Sequence, residues 1–303
     1  MRIGVIGAGG VGLYYGAVLA HAGHEVTFLT RGASAEAIRE RGVAVRSPEE
    51  SFSARATAVT EPAGLRGAEL VLVAVKGYAL GDVAGAAALA AAAGAVVLPL
   101  LNGVEAADRL IAAGVPAGAV LGGVTYISAA RSAPGVVERR SSFQRVIVGE
   151  LPAGSSARVR AVVEVFGSAG VDATASEDIR VELWRKLAFL APISAACGLV
   201  RGDMAAVRKR PLAGALLQRL VGETAAVARA LGVALPAGEE EKVVAQIAAL
   251  AGPLRPSFLL DLLAGGPNEL DLLSGAISRL GAAAGVPTPV HDVAVTVLSV
   301  PTG

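Results

Sequence analysis

Apolar positions follow two regimes along the chain. In the first half, short, largely apolar runs of strand length recur at residues 2–6, 26–29, 68–75 (AELVLVAV) and 95–101 (AVVLPLL). The last two, apolar almost throughout, predict strands covered on both faces, as in a parallel sheet flanked by helices. Residues 13–22, 35–41 and 79–93 between them read as helices, and 43–46 and 54–59 as short strands. The β pattern continues at 120–127, 135–138 and 145–148, and a helix over 157–169 leads into a last short strand at 171–174. Beyond that point the β signal stops. Residues 177–196, 211–231, 238–249, 261–263 and 269–284 predict helices, separated by Gly/Pro punctuation such as Ala251-Gly252-Pro253 and Gly265-Gly266-Pro267.

The expected architecture is therefore an α/β N-terminal domain over 1–175, a doubly wound sheet, followed by an all-α domain over 176–303. The length, 303 residues, suits two domains with separate cores. Composition narrows the class. Hydrophobic residues make up 53% of the chain and charged residues 17%, which excludes intrinsic disorder. A net charge of +1 gives no reason to expect a nucleic acid or an anionic membrane as partner. The apolar stretches are interrupted before the ~18 residues of a membrane span, and the N-terminus already reads as a strand rather than a signal peptide. A lone cysteine, Cys197, supports no disulfide framework and fits a reducing, cytoplasmic setting. His21, His24 and His291 are too few and scattered for a metal cluster, and each is expected at the surface or at a helix end.

The first strand runs directly into Gly7-Ala8-Gly9-Gly10-Val11-Gly12 and then a helix. Strand, glycine turn and helix with G-x-G-x-x-G spacing form the dinucleotide-binding fingerprint of a Rossmann-type domain. Gly7 permits the tight turn, Gly9 lets backbone approach a pyrophosphate, and Gly12 lets the helix pack close to the strand, while the helix N-terminus faces the phosphates. Cofactor choice is read at the end of the second strand. Arg31 stands there, nineteen residues after Gly12, with no acid at 29–32. An acid there would accept from the ribose 2′-OH of NAD, whereas an arginine suits the 2′-phosphate of NADP through charge-assisted bonds of ~1.5–3 kcal/mol. NADP(H) is the expected cofactor; the alternative is a solvated arginine at a strand end. Lys76 and Asn102 also fall at the carboxyl ends of predicted strands, where open α/β sheets bind ligands.

Two features of the helical half suggest chemistry. Lys186 follows Trp184-Arg185 within an otherwise apolar helix, and burial against such a surface lowers a lysine pKa toward neutrality, where it donates protons well. Ser257 and Glu269, twelve residues apart, each lie at a predicted helix start. The blander alternatives are a snorkelling lysine, an N-cap serine and a glutamate that complements a helix dipole.

Jointly these residues resemble the ketopantoate reductases (2-dehydropantoate 2-reductases) over nearly the whole chain. The resemblance is carried by IGAGGVG at the N-terminus, Lys76 after a buried strand, LNG at 101–103, W-x-K at 184–186, PS at 256–257 and Glu269 at the family spacing. It implies reduction of ketopantoate to D-pantoate with NADPH, a step of pantothenate and coenzyme A biosynthesis. It implies Lys186 as general acid, Glu269 as the carboxylate that holds the substrate hydroxyl and influences the lysine, and Ser257 as the residue for the substrate carboxylate. Asn102 and Lys76 are implied near nicotinamide and substrate, with Gly7, Gly9, Gly12 and Arg31 in the cofactor site, and both ligands between the two domains. The family usually has asparagines four and eight residues after the lysine; here these are Leu190 and Ser194, so Ser194 is the polar group left to meet a substrate there. The leading expectation is ketopantoate reduction. A relative acting on a less polar 2-oxo acid or ketone, and a non-catalytic NADP(H) sensor, are the alternatives. A homodimer through the alanine-rich faces of the helical half is compatible with the sequence.

Overall fold

A computed structural model describes residues 1–299. It divides into two compact units, one of residues 1–101 and 106–179, the other of residues 102–105 and 180 onward.

In the first unit the order is β1 (Arg2–Ile6), α1 (Gly10–His21), β2 (Glu25–Leu29), α2 (Gly32–Arg41), β3 (Val43–Arg46), β4 (Ser51–Ala54), β5 (Thr57–Val59), β6 (Leu70–Val73), α3 (Leu80–Ala92), β7 (Val96–Pro99), α4 (Ala106–Ala112), β8 (Gly122–Tyr126), β9 (Ala129–Ala133), β10 (Val136–Arg139), β11 (Arg145–Gly149), α5 (Ala157–Ser168) and β12 (Asp172–Ala175). The central sheet is five-stranded and parallel, in the order β5-β2-β1-β6-β7. Strand order reverses beside β1, which places the turn after β1 at the switch point of a doubly wound sheet. The continuous apolar runs find their explanation here. Leu70 and Leu72 of β6 face one core with Ile3, Val5 and Phe28, while Val71 and Val73 face the opposite core with Ile6 and Val97. A strand buried on both faces has no side available for polar residues.

Two smaller sheets complete this unit, β4-β3-β10-β9 and β12-β11-β8. The run at 54–59, expected as one strand, is instead β4 ending at Ala54 and β5 beginning at Thr57, and the two belong to different sheets. The β9 strand (AARSA) carries no apolar alternation, because most of its residues are exposed on a sheet edge, and its sequence gave no strand signal.

The second unit contains α6 (Ile179–Val200), α7 (Met204–Arg208), α8 (Ala213–Ala230), α9 (Glu239–Ala249), α10 (Ser257–Leu263), α11 (Ser274–Ala284) and α12 (Pro289–Leu298). The division falls at Ile179/Arg180 rather than at 175, and Asn102–Glu105 joins the helices although it follows a strand of the first unit. Glu269 does not begin a long helix. It precedes a single 3-10 turn, Leu270–Leu272, which leads into α11. By length and composition α6 would suffice to cross a membrane, contrary to the expectation that no stretch reaches that length. Most of its apolar residues, among them Leu187, Ala191, Ile193 and Cys197, are buried in the core of the helical unit.

His291 lies at a helix end, as expected, in the first turn of α12, but it is fully buried. Its Nε2 is 3.0 Å from the Leu220 carbonyl, an acceptor only, so Nε2 carries the proton and Nδ1 accepts from Ser274 Oγ at 3.1 Å. Three helices, α8, α11 and α12, meet on this one imidazole.

Candidate active site

The glycine turn has the geometry a dinucleotide needs. Gly7 sits at φ +105°, and a Cβ there would lie 2.8 Å from the Ala74 carbonyl oxygen; a Cβ on Gly12 would overlap the Gly7 carbonyl. Side chains at those positions are therefore excluded by backbone. At Gly9 the same construction meets only the Ala74 oxygen at 3.9 Å, so the space in front of this residue is open. Gly9 is the N-cap of α1, no side chain caps the helix, and its first turn holds no acid. The unpaired N–H groups around Gly10, Val11 and Gly12, with Ala8 in the turn before them, fit an anionic pyrophosphate. Arg31 is exposed at the N-cap of α2, and Lys76 follows β6 at the start of a 3-10 turn.

In the helical unit, α6 presents Lys186 partly buried. Burial pushes its ammonium down to about 8, and the negative charge of Glu269 acts against that shift. The adjacent Arg185 is engaged elsewhere, bonding Glu182 Oε1 at 2.8 Å and the buried Glu239 Oε1 at 3.1 Å, which ties α6 to α9.

Glu269 is 4% exposed. The side-chain amide of Asn102 donates to its Oε2 at 3.1 Å. The turn that holds Glu269 is shaped locally by Asn268, whose Oδ1 accepts from the Leu270 N–H at 3.1 Å. Arg279 of α11 then clamps both pieces, donating to Glu105 Oε2 at 2.7 Å and also to Asp271. No sequence signal singled out Arg279, an ordinary polar residue on a helix face, yet it joins the segment of Asn102 to the turn of Glu269.

The structure therefore brings Lys186, Glu269 and Asn102 together in one unit. Ser194, two turns beyond Lys186 on α6, is 1% exposed, and its hydroxyl has no hydrogen-bond partner among the described residues. Leu190, between them on the same face, is partly buried. Ser257 is not an N-cap: Pro256 takes that position, and Ser257 is the exposed first residue of α10.

Comparison with known proteins identifies a family and a fold. The sequence profile described as "Ketopantoate reductase PanE/ApbA" matches residues 3–153, and that described as "Ketopantoate reductase PanE/ApbA C terminal" matches residues 178–301. A 2-dehydropantoate 2-reductase of Halobacterium salinarum is 33% identical over 308 residues, covering 98% of this chain and 95% of that protein. The crystal structure of a PanE/ApbA family ketopantoate reductase from Ralstonia eutropha superposes with a TM-score of 0.89 at 30% identity, covering 98% of this chain and 97% of the other. A D-mandelate dehydrogenase solved with NADH and anilino(oxo)acetate shares the fold, with a TM-score of 0.88 at 24% identity, covering 98% and 97% of the two chains.

Proposed function

The chain belongs to the ketopantoate reductase family of nicotinamide-dependent oxidoreductases, and on that premise we propose that it reduces 2-dehydropantoate to D-pantoate with NADPH. The observation that carries this reading is Lys186, a lysine within an apolar helix held near a pKa of about 8 by burial, with the charge of Glu269 acting on it. A bound reduced nicotinamide supplies the hydride to the ketone carbon. Lys186 holds the proton that the carbonyl oxygen takes as it becomes an alkoxide, and its positive charge stabilises that oxygen while charge develops. Glu269 accepts from the substrate hydroxyl and favours the charged lysine before transfer. Asn102 fixes the Glu269 carboxylate, Ser257 receives the substrate carboxylate, and the unpartnered Ser194 hydroxyl offers a further bond. On the cofactor side, the N–H groups of the 7–12 turn hold the pyrophosphate, Arg31 takes the 2′-phosphate, and Lys76 and Asn102 border the nicotinamide. The setting is the cytoplasm and the partner a small 2-oxo acid.

A second reading rests on Leu190. A leucine one turn from Lys186 gives no hydrogen bond to a polar substrate and lines that face with hydrocarbon. A 2-oxo acid with an apolar substituent would then be the better substrate.

The test is consumption of reduced nicotinamide with ketopantoate, set beside 2-oxo acids that lack its hydroxyl. Preference for ketopantoate supports the first reading. Preference for the less polar acids assigns the chain to the second, with cofactor site and Lys186 chemistry retained. Turnover of none of them would overturn both.

A further inference from the structure

The start of α2 carries a charge pattern that helix electrostatics oppose. The N-terminal end of a helix concentrates positive partial charge on unpaired N–H groups, so acids are favoured there and cations are not. The first turn of α2 holds no acid, and its N-cap is Arg31, whose side chain makes no capping bond. A second cation reaches the same turn from a distant part of the sequence. Arg131 of β9 donates through Nη1 to Ser34 Oγ at 3.2 Å, and Ser34 is buried three residues after Arg31. This bond uses one N–H of a guanidinium that has five, and Arg131 is otherwise exposed. Two arginines at the positive end of a helix, without an acid, leave a place for an anion.

The same strand passes the glycine turn. A Cβ on Gly10 would overlap the Ala129 carbonyl oxygen and lie 3.0 Å from the Ala130 nitrogen. Consecutive residues of β9 therefore touch the first turn of α1 at Ala129–Ala130 and the first turn of α2 at Arg131. Because β1 and β2 are parallel neighbours, α1 and α2 both start from the carboxyl edge of the sheet. These two helix starts are where a dinucleotide places its pyrophosphate and its adenosine ribose.

We propose that Arg131 is a second 2′-phosphate-binding residue, which together with Arg31 sets preference for NADP(H) over NAD(H), and that Ser34 positions its guanidinium. The proposal rests on the NADP(H) reading above and adds to it a residue from outside the β2–α2 junction. A planar fork already oriented by one bond loses little freedom when it takes up a phosphate.

Equilibrium titration of NADPH and NADH, followed by nicotinamide fluorescence, tests it on the wild type, Arg131→Gln, Arg131→Lys and Ser34→Ala. Competition by adenosine 2′,5′-bisphosphate and by AMP isolates the 2′-phosphate. Arg131→Gln is expected to weaken NADPH and the bisphosphate about tenfold, the factor for one charge-assisted bond, with NADH and AMP unchanged. Arg131→Lys recovers part of the loss, and Ser34→Ala shows a smaller loss of the same selectivity. Equal weakening of both cofactors by Arg131→Gln would show a structural strap instead and overturn the proposal. A wild type that prefers NADPH together with an Arg131→Gln variant that keeps the full preference also overturns it, while leaving the NADP(H) reading intact. A wild type with no preference overturns both.

Discussion

Asn102 donates its side-chain amide to Glu269 Oε2 at 3.1 Å, across a sequence separation of 167 residues. This bond gives a buried carboxylate a fixed direction, and that carboxylate acts electrostatically on Lys186. The loop after a strand of the α/β unit thereby becomes part of the helical unit.

Lys186 should set the basic limb of the pH profile. A general acid must enter reduction protonated, so kcat/KM is expected to be flat below about pH 8 and to fall as pH rises through it. Lys186→Ala should lower kcat by ~10²–10⁴-fold and abolish that limb. A variant with the wild-type profile would remove the lysine from the chemistry.

Glu269→Gln removes the charge that raises the Lys186 pKa, so the limb should move below pH 8. Asn102→Asp should move it the other way by adding negative charge beside Glu269, at a stability cost of ~1–3 kcal/mol from two close carboxylates and a lost donor. Rate profiles and urea titration of the two variants read both effects. Shifts in the same direction would contradict the electrostatic account.

The glycine turn separates binding from folding. Gly9→Ala places its methyl in open space, so thermal unfolding should match the wild type while affinity for reduced nicotinamide cofactor falls at least about tenfold. Gly12→Ala drives a methyl into the Gly7 carbonyl and should cost ~1–3 kcal/mol, a loss of a few degrees in Tm. Calorimetry beside a binding titration distinguishes them, and a Gly9→Ala variant that binds normally would argue against a pyrophosphate at this turn.

His291 should make the protein acid-sensitive. Burial holds its folded pKa at about 4, below the ordinary 6.5 of an unfolded chain, so the unfolded state binds more protons between these values. The contribution of the neutral imidazole is complete above pH 6.5 and is lost as pH falls toward 4, by ~2–4 kcal/mol in total. Urea unfolding at both ends of this window should show the wild type losing more than His291→Gln. Equal losses would assign the acid sensitivity to other groups.

Much of this protein was decided locally and is legible in its sequence. The 2–6 run followed by Gly7-Ala8-Gly9-Gly10-Val11-Gly12 predicts strand, turn and helix because strand burial and glycine backbone freedom act over a few residues. Lys186 is visible as a charge inside an apolar helix, and the change from α/β to all-helical character follows from where β-length apolar runs end. What depends on partners far along the chain was not legible. His291 reads as a surface or helix-end histidine, and nothing near it announces the buried partners Ser274 and the Leu220 carbonyl; β9 lacks a strand pattern because an exposed edge imposes no alternation. The bond from Asn102 to Glu269, and the contact of Arg131 with Ser34, exist only once the chain has folded back on itself. Periodicity records which face of an element is buried; which residue meets which across that burial is settled by tertiary packing alone.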